Sequence, residues 1–234
     1  MLLLLGVPPA ADADTPVEDW RGQPVGARGI PAGWEAYRTP GGRPAYDFSV
    51  VEADGRRALR MGSHGDRSTI ARALRVDLAA TPVLEWSWKV TRLPARADVR
   101  HGATSDAAAQ LLVVWPRPPE LIRSRIIAYT WDTTAPAQSI VPSPKARTVT
   151  FVVMRSGPAG LGRWLTERRD VLADHRRIYG EDPDPVGAIA LSIDTNDTRS
   201  PAEAAIGPIA FRPAGSPTRP SSRPAGGRSS SRPE

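Results

Sequence analysis

The sequence predicts a mostly β protein: an antiparallel β-sandwich of jelly-roll (galactose-binding-like) type with one peripheral α-helix. Three observations predict it. Eight or so short runs alternate apolar and polar residues or are rich in β-branched ones, Pro, Gly and Ser separate them, and only one segment shows helical spacing. A lone helix cannot supply the crossovers that a parallel sheet needs between most of its strands.

In chain order, Tyr46, Phe48 and Val50 alternate up to Asp54-Gly55, a hairpin-type turn, and residues 59–61 begin the return strand. Residues 70–76 form the next candidate. The clearest strand is 83–90, where Leu84, Trp86, Trp88 and Val90 make one apolar face and Glu85, Ser87 and Lys89 most of a polar one. Trp86 and Trp88 therefore belong to the core. Residues 107–115, 126–131, 149–154, 186–194 and 204–211 supply the remaining strands. The helix is expected over 166–180, with Val171, Leu172, His175, Ile178 and Tyr179 on one face. Glu167 falls in its first turn, basic residues including His175 in its last, and Gly180 at its C-terminal stop.

Composition narrows the chemistry. Forty per cent apolar residues in 234 suffice for one core. The absence of Cys excludes disulfides, thiolate catalysis, zinc fingers and iron–sulfur ligation. The domain reading is a truncated signal-peptide-like segment over 1–13, the sandwich over 14–212 and a disordered Pro/Ser/Arg tail over 213–234. Leu2, Leu3, Leu4 and Leu5 start an apolar run too short to span a bilayer, and Ala11-Asp12-Ala13 places small residues where a signal peptidase reads. A periplasmic or secreted protein is the expectation. The tail has five Pro, six Ser and three Gly in 22 residues, and its four Arg against Glu234 carry +3 of the formal +6. With no basic recognition helix or RNA-binding aromatic motif, no specific nucleic acid partner is expected.

Several separated motifs carry a resemblance. Thr81-Pro82-Val83-Leu84-Glu85-Trp86-Ser87-Trp88-Lys89-Val90, Ile140-Val141-Pro142-Ser143-Pro144, Ser156-Gly157-Pro158, the expected helix and Asp194-Thr195-Asn196-Asp197-Thr198 resemble the bacterial family catalogued as domain of unknown function 3047. The resemblance runs from about Trp20 to Phe211 and implies an extracytoplasmic β-sandwich, but no activity. Two places depart from the family pattern. Ser105-Asp106-Ala107-Ala108-Ala109-Gln110 stands where the family tends to have paired acids, Tyr and Arg, and Asn196 and Asp197 are exchanged in the late loop.

Seven of the 14 aromatics are Trp, and indole serves both as core filler and as a platform for the C–H face of a sugar. Trp131 sits in Tyr129-Thr130-Trp131-Asp132-Thr133-Thr134, where aromatic and polar groups alternate at a strand end. Trp131, Asp132 and Arg155, with Asp194, Asn196 and Asp197 of the late loop, form the predicted ligand patch for a glycan or other cell-envelope polymer. The oxygen density of residues 194–198 suits Ca²⁺, although Arg199 and Ala205 break EF-hand spacing, and a turn with Asx and Thr side chains bonded to the local backbone uses the same residues. No other cofactor is expected. The competing class is a carbohydrate-active hydrolase or lyase on the same sandwich, needing a carboxylate pair drawn from Asp106, Asp132, Asp194 and Asp197. His64 and His101 lie in Gly-flanked loops, and no G-x-S-x-G, H-E-x-x-H or P-loop occurs.

Overall fold

At the Asp54-Gly55 turn both residues take positive φ, 53° and 73°, the conformation a two-residue hairpin requires. Strand β3 (Asp47–Ala53) therefore folds directly back on β4 (Arg56–Ser63), pairing Asp47 with Gly62 and Ser49 with Arg60. The structure is a computed structural model that describes residues 13–37 and 43–217. Before the hairpin lie β1 (Thr15–Glu18) and β2 (Glu35–Ala36). After it come β5 (Arg67–Val76), β6 (Val83–Arg92), β7 (Ala107–Trp115), the short helix α1 (Glu120–Arg123) and β8 (Arg125–Asp132). The chain continues through β9 (Ile140–Pro142), β10 (Val149–Ser156), β11 (Leu165–Asp170), helix α2 (Val171–Tyr179), β12 (Val186–Asp194) and β13 (Ala202–Arg212). Most of the expected leader and tail fall on residues 1–12 and 218–234, outside the described residues.

One sheet has six strands in the order β11-β6-β13-β4-β3, with β1 also on β13, and the other seven in the order β2-β5-β12-β7-β8-β10-β9. The chain changes sheet at each step from β4 to β7 and again from β10 to β13. This interleaving of two four-strand sets is jelly-roll topology. One pairing departs from the antiparallel expectation: β10 runs parallel to β8. After β8 the chain turns down through β9, one place further out, and returns as β10 in the gap between them.

The expected helix is shorter at its start. Residues 165–170 form β11 along the edge of β6, because Asp170 caps the helix there, its carboxylate accepting the Ala173 N–H at 2.9 Å. Glu167 is thus a strand residue. Gly180 ends the helix in the left-handed region, φ 74°, as expected. His175 departs from its expected role as a cation at the helix end. It is buried between Trp115 and Tyr179, each 4.7 Å away, and burial lowers its pKa.

Aromatic rings form the seam between the sheets. Trp86 stacks on Tyr129 at 5.3 Å and Trp88 meets Trp131 at 5.9 Å. Three of the four find a polar partner in place: Trp131 Nε1–H donates to the Gly157 carbonyl at 3.0 Å, Tyr129 O–H to Asp174 at 2.8 Å and Trp88 Nε1–H to Glu167 at 3.1 Å, while the Trp86 Nε1–H is buried without one. Each buried ring removes roughly 150–250 Å² from water, worth about 4–6 kcal/mol before ordering costs.

The two outward faces differ. On the six-stranded sheet, Arg60, Lys89, Glu203 and Asp47 point to solvent in ion pairs. On the seven-stranded sheet, Ala190, Leu112, Ala128 and Phe151 lie side by side across four strands and are buried. Next to them runs a neutral polar row, Thr69, Ser192, Gln110 and Thr130. Val99 and Ala135, from loops, pack over this face.

Candidate functional site

The six residues of the predicted patch do not converge on one surface. Trp131 is fully buried, not a groove wall. It shares the inward face of β8 with Ile127 and Tyr129, so strand alternation commits it to the core. Arg155 turns to the edge of the sandwich, where its Nε–H donates to Glu167 at 2.6 Å, and the same oxygen accepts the Trp88 Nε1–H at 3.1 Å. Asp132, also fully buried, accepts three backbone N–H groups: Val99 at 2.9 Å, Thr134 at 2.7 Å and Ala135 at 2.6 Å. It pins two loops over the seven-stranded sheet.

Asp194, Asn196 and Asp197 do share a corner with Asp106. Asp194 pairs with Arg67 at 3.3 Å, and Asp197 with Lys145. Asp106 is enclosed and accepts the N–H groups of Asp197 at 3.2 Å and Thr198 at 2.7 Å. Burial pushes the Asp194 carboxyl up to about 7, with Arg67 pulling it down and Asp106 and Asp197 adding to the rise. The Ca²⁺ expectation therefore meets a loop whose carboxylates face cations of the chain. Among the described residues, no group of three or more His, Asp or Glu could hold a metal ion.

An open site lies elsewhere, at the start of the β3–β4 hairpin. A cleft of about 510 Å³ is lined by Tyr46, Asp47 and Ser49 of one chain segment, Arg60 across the ladder, and Arg28. Residues 26–29 run along the free edge of β3. The Gly26 N–H donates to the Val50 carbonyl at 2.8 Å, the Val50 N–H to the Ala27 carbonyl at 2.9 Å, and the Gly29 N–H to the Phe48 carbonyl at 2.9 Å. That segment fixes the backbone of Arg28 beside Ser49. Arg60 spans two acids, with its Nη1–H on Asp47 at 3.2 Å and its Nε–H and Nη2–H on Glu203 at 2.9 and 2.6 Å.

Tyr46 occupies the left-handed region, φ 47°, a costly conformation for an aromatic residue. A chain of hydrogen bonds holds it there. The Tyr46 N–H donates to Ser68 Oγ at 3.0 Å, and the Ser68 hydroxyl to Asp66 at 2.7 Å. Asp66 also accepts the Ala45 N–H at 3.2 Å, the His64 N–H at 3.0 Å and the Ser63 hydroxyl at 2.8 Å. Burial pushes this carboxyl up, but the bonds from Ser68, His64, Ser63 and Ala45 outweigh it and hold it below the usual range. The chain ends on Thr195, whose hydroxyl lies 2.7 Å from Ser63 Oγ and accepts the Gly65 N–H at 2.7 Å. Thr195 of the late-loop motif thus helps hold the turn that positions Tyr46.

Sequence reading placed Tyr46 in alternation with Phe48 and Val50, and the structure packs it half-buried against the core, edge-on to Phe48 at 5.9 Å, while the same residue also lines the cleft, which the sequence reading did not single out. The Asp54-Gly55 turn was the available signal. Counting back from a two-residue loop places Asp47 and Ser49 beside Arg60. Nothing local signalled Arg28, which a loop brings to the edge.

In sequence, no curated protein matches the chain. Among solved structures, its fold is similar to the family 11 carbohydrate-binding module of cellulosomal cellulase Lic26A-Cel5E of Clostridium thermocellum, at TM-score 0.47 and 10% identity, covering 88% of this chain and 97% of that one. It is similar also to the family 30 carbohydrate-binding module of cellulase Cel9D-Cel44B of Clostridium thermocellum, at 0.46 and 12%, covering 87% and 99%. The K2 cleaved adhesin domain of Lys-gingipain aligns at 0.41 and 9%, covering 85% and 99%. Residues 32–210, from just before β2 into β13, match the family described as protein of unknown function DUF3047, and the chain belongs to that family.

Proposed function

We propose that this protein recognises a glycan or another polar cell-envelope ligand, without turning it over, in the cleft beside Tyr46. The observation that carries this reading is the make-up of the cleft: Tyr46, half-buried with its ring edge-on to Phe48 and held at a strained backbone position, lines it beside Asp47, Ser49, Arg28 and Arg60. A sugar offers a weakly polar C–H face and a rim of hydroxyls. An aromatic wall removes the first from water, and planar acid and guanidinium groups orient the second. Strain is retained where a fold over-determines it, and the Asp66 chain does so here.

Recognition without catalysis is supported by the state of the acids. A glycosidase needs one carboxylate free to attack or activate water and another able to give up a proton. Asp106 and Asp132 are occupied by backbone N–H groups, Asp47 by Arg60 and Asp197 by Lys145, and Asp194, whose raised carboxyl could hold a proton, is buried against Arg67. The periplasmic or secreted location belongs to the same proposal, and N-terminal sequencing of secreted protein tests it.

A glycan array followed by calorimetry on the best ligand tests the function. Tyr46→Ala is expected to weaken binding by about tenfold or more, and Tyr46→Phe, which keeps the ring, by only a few-fold. Retained affinity in Tyr46→Ala, or release of reducing ends from the bound polymer, counts against the reading.

A further inference from the structure

We propose that the ligand of the Tyr46 cleft is an acidic saccharide, its carboxylate or phosphate received by Arg28. This rests on the glycan reading above and adds the charge of the ligand. The walls of the cleft hold two guanidinium groups, and they are not equivalent. Arg60 is spent: Asp47 and Glu203 both take hydrogen bonds from it, so that side of the cleft brings no uncompensated positive charge. Arg28 has no ion pair, hydrogen bond or ring contact among the described residues, although its backbone is fixed beside Ser49. Arg28 is therefore the guanidinium of the cleft wall that has no acid on it among the described residues, while Arg60 is already held between Asp47 and Glu203.

A guanidinium on a fixed backbone is well matched to an oxyanion, since its N–H groups meet two oxygens in one plane. A neutral sugar would leave that charge to water and gain little from it. A sugar bearing a carboxylate or a phosphate would place its ring against Tyr46 and its anion on Arg28, with Asp47 and Ser49 left to bond hydroxyls. Asp47 also argues against a free inorganic anion. Asp47 and Arg28 line the same cleft, so a bare phosphate would bring its charge toward the carboxylate as well, whereas a sugar ring keeps its anion apart from the hydroxyls that Asp47 bonds.

The test uses the full chain and four probes in calorimetry: an oligogalacturonide, the same oligomer with its carboxylates methyl-esterified, a phosphorylated mono- or disaccharide, and inorganic phosphate. The free-acid oligomer or the phosphorylated sugar is expected to bind at least tenfold tighter than the ester, and whichever is tighter identifies the acid. Arg28→Gln should abolish that preference, bringing the free acid down to the ester's affinity in the same variant, and Arg28→Lys should keep part of it. Raising the salt should narrow the gap between acid and ester. Equal affinity for acid and ester overturns the inference, as does an acid preference that survives Arg28→Gln or binding of inorganic phosphate as tight as that of the sugars. Tight binding of neutral glycans that depends on Tyr46 but not on Arg28 overturns the inference and leaves the glycan reading standing. No binding of any saccharide sinks both.

Discussion

The outward faces of the two sheets are built on opposite principles. The six-stranded sheet presents long charged side chains in pairs, Arg60 with Asp47 and Glu203, Lys89 with Asp54, and it carries the open cleft. The seven-stranded sheet presents small or neutral side chains, and its acids are turned to holding loops over that face. Asp132 and Asp106, two of the acids that look most like chemistry, accept backbone N–H groups of the chain. The residues proposed to meet a ligand lie on the face that reads in sequence as ordinary solvated charge. If this contrast holds, substitutions on the seven-stranded side cost stability and leave affinity alone, and those around the cleft do the reverse.

The largest effect is expected at Asp132. Asp132→Ala removes one acceptor group from three backbone N–H groups in a buried place, and should destabilise by about 3–5 kcal/mol in urea unfolding. Asp132→Asn keeps one acceptor oxygen and should cost less. Ligand affinity per folded molecule should not change. A stable Asp132→Ala variant with weakened binding would break the contrast by giving the seven-stranded face a ligand.

Asp194 sharpens it through pH. Its carboxyl titrates near 7 in the folded protein, above its ordinary value of 3.8, chiefly because it is buried. The folded state keeps a proton that the unfolded chain has released, so this group's contribution is fully present below about pH 4. It is lost as pH rises to about 7. The stability of Asp194→Asn relative to the native chain should thus increase over that window, by on the order of 2–4 kcal/mol. A difference that does not vary between pH 4 and 7.5 would mean the carboxyl is ionised throughout, with Arg67 holding it.

The sandwich was legible because its signals are local. Alternation around Trp86 and Trp88, the Asp54-Gly55 turn and the Gly180 stop each work through a few neighbouring residues. The start of α2 misled because residues 165–170 fit a helix by spacing, while the free edge of β6 and the Asp170 cap decide otherwise. That the residues of the predicted patch do not converge has one cause. Polar groups beside an aromatic look alike whether they meet a ligand or the chain's own backbone, and only tertiary partners distinguish them. The three N–H groups on Asp132 come from positions 99, 134 and 135. The alternation that put Trp86 in the core applies equally to Ile127, Tyr129 and Trp131 and would have placed Trp131 there.

The smallest stability effect is expected at Arg60, where the contrast is most exposed to failure. Its pairs with Asp47 and Glu203 are about one-third to one-half exposed, and surface pairs of this kind contribute about 1 kcal/mol or less. Arg60→Gln should therefore unfold within about 1 kcal/mol of the native chain in urea. Binding should respond differently. Without Arg60, Asp47 loses the partner that orients it, and an uncompensated carboxylate is left lining the same cleft as Arg28. Affinity for an acidic saccharide should fall several-fold, while affinity for a neutral one should change less. A loss of 2–3 kcal/mol of stability with affinity intact would show that the charged face holds the sheet together as the loop-pinning acids do on the other side, and the division between the two faces would disappear.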